Sequence, residues 1–188
     1  MTKSSALLPS ASGRGATRPA AARPGALESD VILFSSQVDR KQGHTSDLEV
    51  LRTAIKKDTG FPRAATALYD AMGEGITGLA DRPAPRVLVV CTDGRENASK
   101  RFTEEQVIKL AQQHRVRIVV FATLLSDVKA IERLTAQTGG LYVFAPSVKA
   151  LLPEADKVGR VLGSMRAFEL LDPRVSAAVS IELAGSRP

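Results

Sequence analysis

The sequence predicts an α/β fold, a doubly wound and mostly parallel sheet flanked by helices. Short apolar runs alternate with helical patterns, and the connections between them are short. The clearest run, Arg86-Val-Leu-Val-Val-Cys-Thr92, lies between Pro85 and Gly94 and reads as a strand buried on both faces, as in the interior of a parallel sheet. Asp93 follows it, at the carboxyl edge where open α/β sheets bind their ligands.

A length of 188 residues suits one domain with a substantial core. Residues 1–29 are rich in Ala, Ser, Gly, Arg and Pro, with no acidic residue before Glu28, and read as a disordered arm. The domain is expected over 30–170, and 171–188 as a carboxyl-terminal strand or tail.

Within the domain, Asp30–Ser36 is a short buried-strand pattern, and Gln37–Arg40 continues it as a polar edge strand up to a break at Gly43. Ser46-Asp-Leu-Glu49 has capping-box spacing, and Leu48, Leu51 and Ile55 share the face of the helix it opens. After Pro62, Thr66 fits a helix N-cap, with Leu68, Met72, Ile76 and Leu79 behind it. Thr103-Glu-Glu-Gln106 is a second capping box, leading a face of Val107, Leu110, Ala111 and His114. Val116–Ala122 is the next strand, and Ser126 or Asp127 starts a helix through Gln137 that Gly139 ends. Leu141–Ala145 is a further strand, and Pro153 can open a last helix lined by Val158, Leu162 and Met165. Beyond it the period changes to two: Val175, Ala177, Val179, Ile181 and Leu183 alternate with small or polar residues. The sequence leaves open whether this strand joins the sheet or belongs to a following unit.

Composition narrows the function classes. Hydrophobic residues at 44% and charged ones at 24% are ordinary for a globular protein, while 4% aromatics and no Trp imply an aliphatic core. The net charge of +6 is spread among acidic neighbours, as in Lys100-Arg-Phe-Thr-Glu-Glu105, so a solvated surface is expected and no nucleic-acid partner. Cys91 alone cannot form an internal disulfide and reads as a small core residue. No apolar run approaches the ~20 residues of a transmembrane helix, and Pro9 stops Ala6-Leu7-Leu8 short of a secretory leader. A soluble protein is expected, cytoplasmic if Met1 is the true start.

Three phrases, in order and spacing, carry a resemblance: Thr66-Ala-Leu-Tyr-Asp-Ala71, Val87-Leu-Val-Val-Cys-Thr-Asp-Gly-Arg-Glu-Asn97, and Val116–Ala122 followed by Leu134-Thr-Ala-Gln-Thr-Gly-Gly140. From about Val31 to Phe144 the chain resembles the von Willebrand factor type A (vWA) domain. The resemblance implies a doubly wound sheet and a non-catalytic protein-interaction module. It also implies a metal-ion-dependent adhesion site, where a divalent cation, usually magnesium, holds an acidic residue of a protein partner. Manganese and calcium are alternative ions. Magnesium takes near-octahedral oxygen ligands and retains waters, so hydroxyls and carboxylates from separate loops can hold it with one position open. By resemblance Thr66 matches the family's metal-site threonine and Asp93 its aspartate. Each also has a structural reading, Thr66 as a helix cap and Asp93 as an acceptor of turn amides near Gly94.

The chain departs from the family at its start. A typical member ends its first strand in Asp-x-Ser-x-Ser, whereas the nearest match here is Leu8-Pro-Ser10-Ala-Ser12, with Leu8 in the aspartate's place. Ser10 and Ser12 are carried as candidate ligands, but a weak or absent metal site is expected. The first strand lies mid-sheet in the family, so the sequence reads as an amino-terminally divergent or truncated member.

The alternatives are a metal-independent scaffolding domain and a nucleotide-dependent α/β enzyme. The second rests on Gly73-Glu-Gly-Ile-Thr-Gly78, which matches G-x-G-x-x-G but sits late in a helical pattern instead of between a strand and a helix. There is no G-x-S-x-G elbow, and His44 and His114 fall in no triad or metal pattern, so no catalytic residue is assigned.

Overall fold

The computed structural model describes residues 28–56, 65–93, 95–123 and 126–164. The element order is β1 (Ser29–Phe34), β2 (Val38–Thr45), α1 (Leu48–Ile55), α2 (Leu68–Leu79), β3 (Arg86–Thr92), α3 (Glu104–Gln113), β4 (Val116–Ala122), α4 (Val128–Gln137), β5 (Leu141–Phe144) and α5 (Val148–Ser164). The expected arm lies outside the described residues except for Glu28 and for Ser29, which already belongs to β1. The tail, 171–188, also lies outside them.

The α/β class holds. β3, β4 and β5 form a parallel sheet in that order, in register from Arg86 opposite Val116 to Thr92 opposite Ala122. β1 and β2 form a separate antiparallel pair. Among the described residues no strand joins the two sheets, although α2 packs against both β1 and β3. Arg40 of β2 reinforces that packing, since its guanidinium donates to the Glu74 carbonyl and carboxylate, both at 3.1 Å, alongside Gly78.

The main core lies on the face of the parallel sheet that carries Val90, Ile118, Val120 and Ala122. Leu68, Met72 and Ile76 of α2, Val107 and Ala111 of α3, and Ile131 and Leu134 of α4 cover it. The other face has a smaller cover, with Val158 and Leu162 of α5 over Val87, Val119, Phe121 and Val143. Cover runs out toward the free edge of β3, where Val89 is 46% exposed and Cys91 is exposed too. The expectation that this strand is buried on both faces, with Cys91 in the core, is therefore corrected. One face of β3 is buried, while on the other the cover of α5 reaches Val87 and, among the described residues, leaves Val89 and Cys91 exposed.

Several boundaries shift for local reasons. β2 runs through Gly43 to Thr45, where a strand break was expected. Asp47, not Ser46, caps α1, its carboxylate accepting from Glu49 and Val50 N–H at 2.9 and 3.3 Å. The expected inward stripe of α1 is not formed, because Leu48 and Ile55 are 64% and 61% exposed and Ala54 is the buried residue. The Thr103–Gln106 capping box and the Asp127 cap of α4 form as expected, and Gly139 ends that helix at φ 63°. α5 begins at Val148 and carries Pro153 inside it instead of at its start, with Ser147 accepting from the Ala150 amide.

Candidate ligand-binding edge

The carboxyl edge of β3 faces the segment that leads into α2, and the two are closed onto each other by backbone and side-chain bonds. The Thr66 N–H donates to Asn97 Oδ1 at 2.8 Å, and the Thr66 carbonyl accepts from Asn97 and Ala98 N–H at 3.1 and 3.2 Å. One turn further, the loop after β3 supplies the cap of α2. Ala67 stands at the N-cap and has no side-chain oxygen to give. Glu96 accepts from Tyr69 N–H at 3.0 Å, and Ser99 Oγ accepts from Asp70 N–H at 3.1 Å, so orphan amides of the first turn are satisfied from across the edge. A carboxylate there is also favoured by the helix dipole.

The exchange is reciprocal. Asp70, 7% exposed, accepts Lys100, Arg101 and Phe102 N–H at 2.9, 2.9 and 3.0 Å. Burial alone raises its carboxyl pKa, but the three amides and the Arg101 guanidinium outweigh it and hold the group below its ordinary value. Glu96 is equally occupied, since its carboxylate also takes Ala98 N–H, Ser99 N–H and the Ser99 hydroxyl at 2.9, 2.7 and 2.7 Å. Beside them, burial first, then Glu104, Glu96 and Asp127, push the Tyr69 phenol up to about 12.

Against this scaffold the expected site residues sort cleanly. Thr66 is not the N-cap of α2, so the capping explanation for it is removed. Asp93 directly follows β3 and is exposed, and among the described residues it accepts no hydrogen bond. Gly94, around which its turn role was expected, lies outside the described residues, as do Ser10 and Ser12. Thr66 is bonded to Asn97 of the segment after β3, and Asp93 directly follows that strand. Asp70, Glu96, Asn97 and Ser99 were missed from the sequence. Glu96-Asn-Ala-Ser99 carries the polar side chains of a capping segment, but its target amides lie in another element.

As a test of fit for a divalent cation, the donor set is small. Asp70 and Glu96 are consumed by amides, so of the expected ligands the described residues offer the Thr66 hydroxyl and the Asp93 carboxylate. No group of three or more His, Cys, Asp or Glu among the described residues could hold a metal. Two protein oxygens suit a mostly hydrated magnesium rather than an all-protein cage.

Residues 24–157 match the von Willebrand factor type A domain family. The chain belongs to that family. Solved structures with the same fold include the vWA domain of SpRpn10, 14% identical over 69% of this chain and 71% of that one, with a TM-score of 0.51. A conserved hypothetical protein, BatB from Bacteroides thetaiotaomicron, is 15% identical over 73% of this chain and 80% of that one, with a TM-score of 0.52. Proximal thread matrix protein 1 from the mussel byssus is 17% identical over 71% of this chain and 34% of that one, with a TM-score of 0.53. A further structure of the mussel protein has a zinc-occupied metal-ion-dependent adhesion motif. No curated protein sequence matches the chain.

vWA domains are generally non-enzymatic protein-interaction modules, and many hold a divalent cation at the adhesion site. The G-x-G-x-x-G match is accounted for by packing within this vWA domain. Gly73, Gly75 and Gly78 lie inside α2, where an added Cβ would stand 2.5 Å from the Phe102 ring, 2.6 Å from Leu88 Cδ1 and 2.8 Å from the Arg40 guanidinium. They admit neighbours to the helix flank and open no phosphate cradle. Among the described residues no helix is long and apolar enough to cross a membrane.

Proposed function

We propose that this vWA domain is a non-catalytic protein-interaction module whose partner docks on the carboxyl edge of β3, through a weak site for a hydrated divalent cation. Thr66 and Asp93 are its ligands from the described residues, and Ser10 and Ser12 are the further candidates by resemblance. Magnesium is the expected ion. An acidic side chain of the partner would complete the coordination shell.

The supporting observation is the selective use of carboxylates at this edge. Asp70 and Glu96 are spent on amides that bind the two loops together, while Asp93, which directly follows β3, is exposed and accepts no hydrogen bond among the described residues. Asp93 is thus the carboxylate of this edge left available to an added ligand.

Calorimetric titration of the full chain with magnesium and manganese, together with pull-down from native extract with and without chelator, tests this reading. The expected result is weak binding that Asp93→Ala abolishes and a captured partner that the chelator releases. Heat unchanged by Asp93→Ala sinks the metal site as assigned. A partner retained in chelator supports the metal-independent scaffolding alternative.

A further inference from the structure

β3 ends its sheet with an edge that no strand pairs among the described residues, and α2 extends past that edge to pack on β1. We infer that the carboxyl-terminal segment Val175–Leu183 of this same chain docks there as a parallel strand between β3 and β1. This goes beyond the interaction function; it leaves Thr66 and Asp93 of that reading in place but competes with Ser10 and Ser12, whose segment would fill the same slot as the family's mid-sheet first strand.

The course of α5 points to that edge. Helices α3 and α4 lie on the face of Ile118 and Val120 while the chain steps from β3 to β4 to β5. α5 lies on the opposite face, over Val119 and Phe121. Parallel crossovers are right-handed in about 98% of cases, so a connection carried on the opposite face steps back the other way, from β5 past β3. Leu162, near the end of α5, packs in the cluster that holds Val87, the second residue of β3. The chain therefore leaves α5 at the end of the sheet where a strand parallel to β3 must begin. Residues 165–174 then connect Ser164 to Val175, and ten residues span up to about 33 Å.

The segment suits the place chemically. Val175, Ala177, Val179, Ile181 and Leu183 form one apolar face, which would lie under Leu68, Met72 and Ile76 of α2. Ser176, Ala178, Ser180 and Glu182 would form the other face, whose three small side chains would lie beside the exposed Val89 and Cys91 and whose Glu182 falls at its carboxyl end. No Pro or Gly interrupts 175–183, so every residue can contribute to a ladder.

Cys91 is the one cysteine of the chain and provides the test. In the full-length protein, Ala178→Cys and Ser180→Cys place a second thiol on the face of Cys91 at two registers, and Val179→Cys places one on the opposite face. Mild oxidation is followed by non-reducing mass analysis, and amide hydrogen exchange of the unmodified protein is measured in parallel. The expected result is an intrachain disulfide at monomer mass for position 178 or 180 and little for 179, with residues 175–183 exchanging at least tenfold more slowly than an unprotected peptide. Exchange of 175–183 at the unprotected rate overturns the inference. So does a disulfide found only in dimers, which would assign the edge to a second copy. Protection within residues 1–27 with an unprotected tail also overturns it, by giving the place to the amino-terminal stretch.

Discussion

Thr66 and Asn97 are joined in both directions, the Thr66 amide donating to the Asn97 side chain at 2.8 Å and the Asn97 amide donating to the Thr66 carbonyl at 3.1 Å. The two residues are 31 positions apart and belong to different loops. Their closure brings the segment before α2 onto the edge where Asp93 follows β3, so it is the physical basis of any joint role for Thr66 and Asp93. A hydroxyl and a carboxylate on two loops act together only when the loops hold a fixed distance.

Asn97→Ala removes the acceptor of the Thr66 amide and leaves the backbone bonds in place. A loss of about 1 kcal/mol is expected, or a drop in Tm of about 3 °C. Asn97→Asp keeps the acceptor and should cost less. Equal Tm values for all three proteins, measured by scanning calorimetry, would show that the closure does not depend on this side chain.

Asp70 holds three amides of the loop after β3, and its replacement should be felt more strongly. Asp70→Ala leaves buried donors unsatisfied and is expected to cost about 3 kcal/mol, with Asp70→Asn intermediate because it keeps one acceptor oxygen. The pH dependence follows from the direction of the shift. The folded carboxyl lies below its ordinary value, so its stabilising contribution is complete above the unfolded pKa and is lost as pH falls through the folded one. Wild type should therefore lose stability below about pH 4 more steeply than Asp70→Asn. Parallel denaturation midpoints of the two proteins across that range would refute the assignment.

The pattern of strands and helices was legible in the sequence because each element carries its own period and its own start signal. Thr103–Gln106 and Asp127 cap their helices from within the segment, and both were readable. α2 was misread at its start because its amides are satisfied by Glu96 and Ser99, which follow β3, and local spacing contains no trace of that. Cys91 and Val89 were misplaced for a related reason. An apolar run shows that a strand can be buried on both faces, but cover depends on the neighbouring layer, which among the described residues reaches Val87 and stops short of Val89 and Cys91. Asp93 stands out as a candidate because a carboxylate ending an apolar strand is conspicuous, whereas Asp70 looks like any polar residue of a helix until its three amide partners are seen.

Two glycine substitutions with opposite expected signs test the packing account of α2. Gly73→Ala drives a methyl to 2.5 Å from the Phe102 ring and should destabilise by about 1–3 kcal/mol. Gly159→Ala, in α5 with no atom within 4 Å of the added methyl, should stabilise by up to about 1 kcal/mol. Addition of a dinucleotide or ATP should leave the wild-type Tm unchanged. A nucleotide-dependent rise in Tm that Gly73→Ala removes would return the glycine motif to a binding role.

The tyrosines provide a reading of the same edge at alkaline pH. Burial and the Glu104, Glu96 and Asp127 carboxylates around Tyr69 push its phenol up to about 12, and burial with Glu132 raises Tyr142. These are the only two tyrosines in the chain, so phenolate absorbance near 295 nm reports on them alone. In the folded protein little phenolate should form at pH 10, whereas in denaturant both residues should titrate near about 10. Because the folded phenols have raised pKa values, their contribution to stability is complete below the unfolded value and is lost as pH rises through the folded ones. Glu96→Gln removes one of the charges facing Tyr69 and should move the later part of the titration to lower pH. A folded-state titration centred near 10, or one that Glu96→Gln leaves unmoved, would place Tyr69 outside the acidic, half-buried edge that binds α2 to the loop after β3.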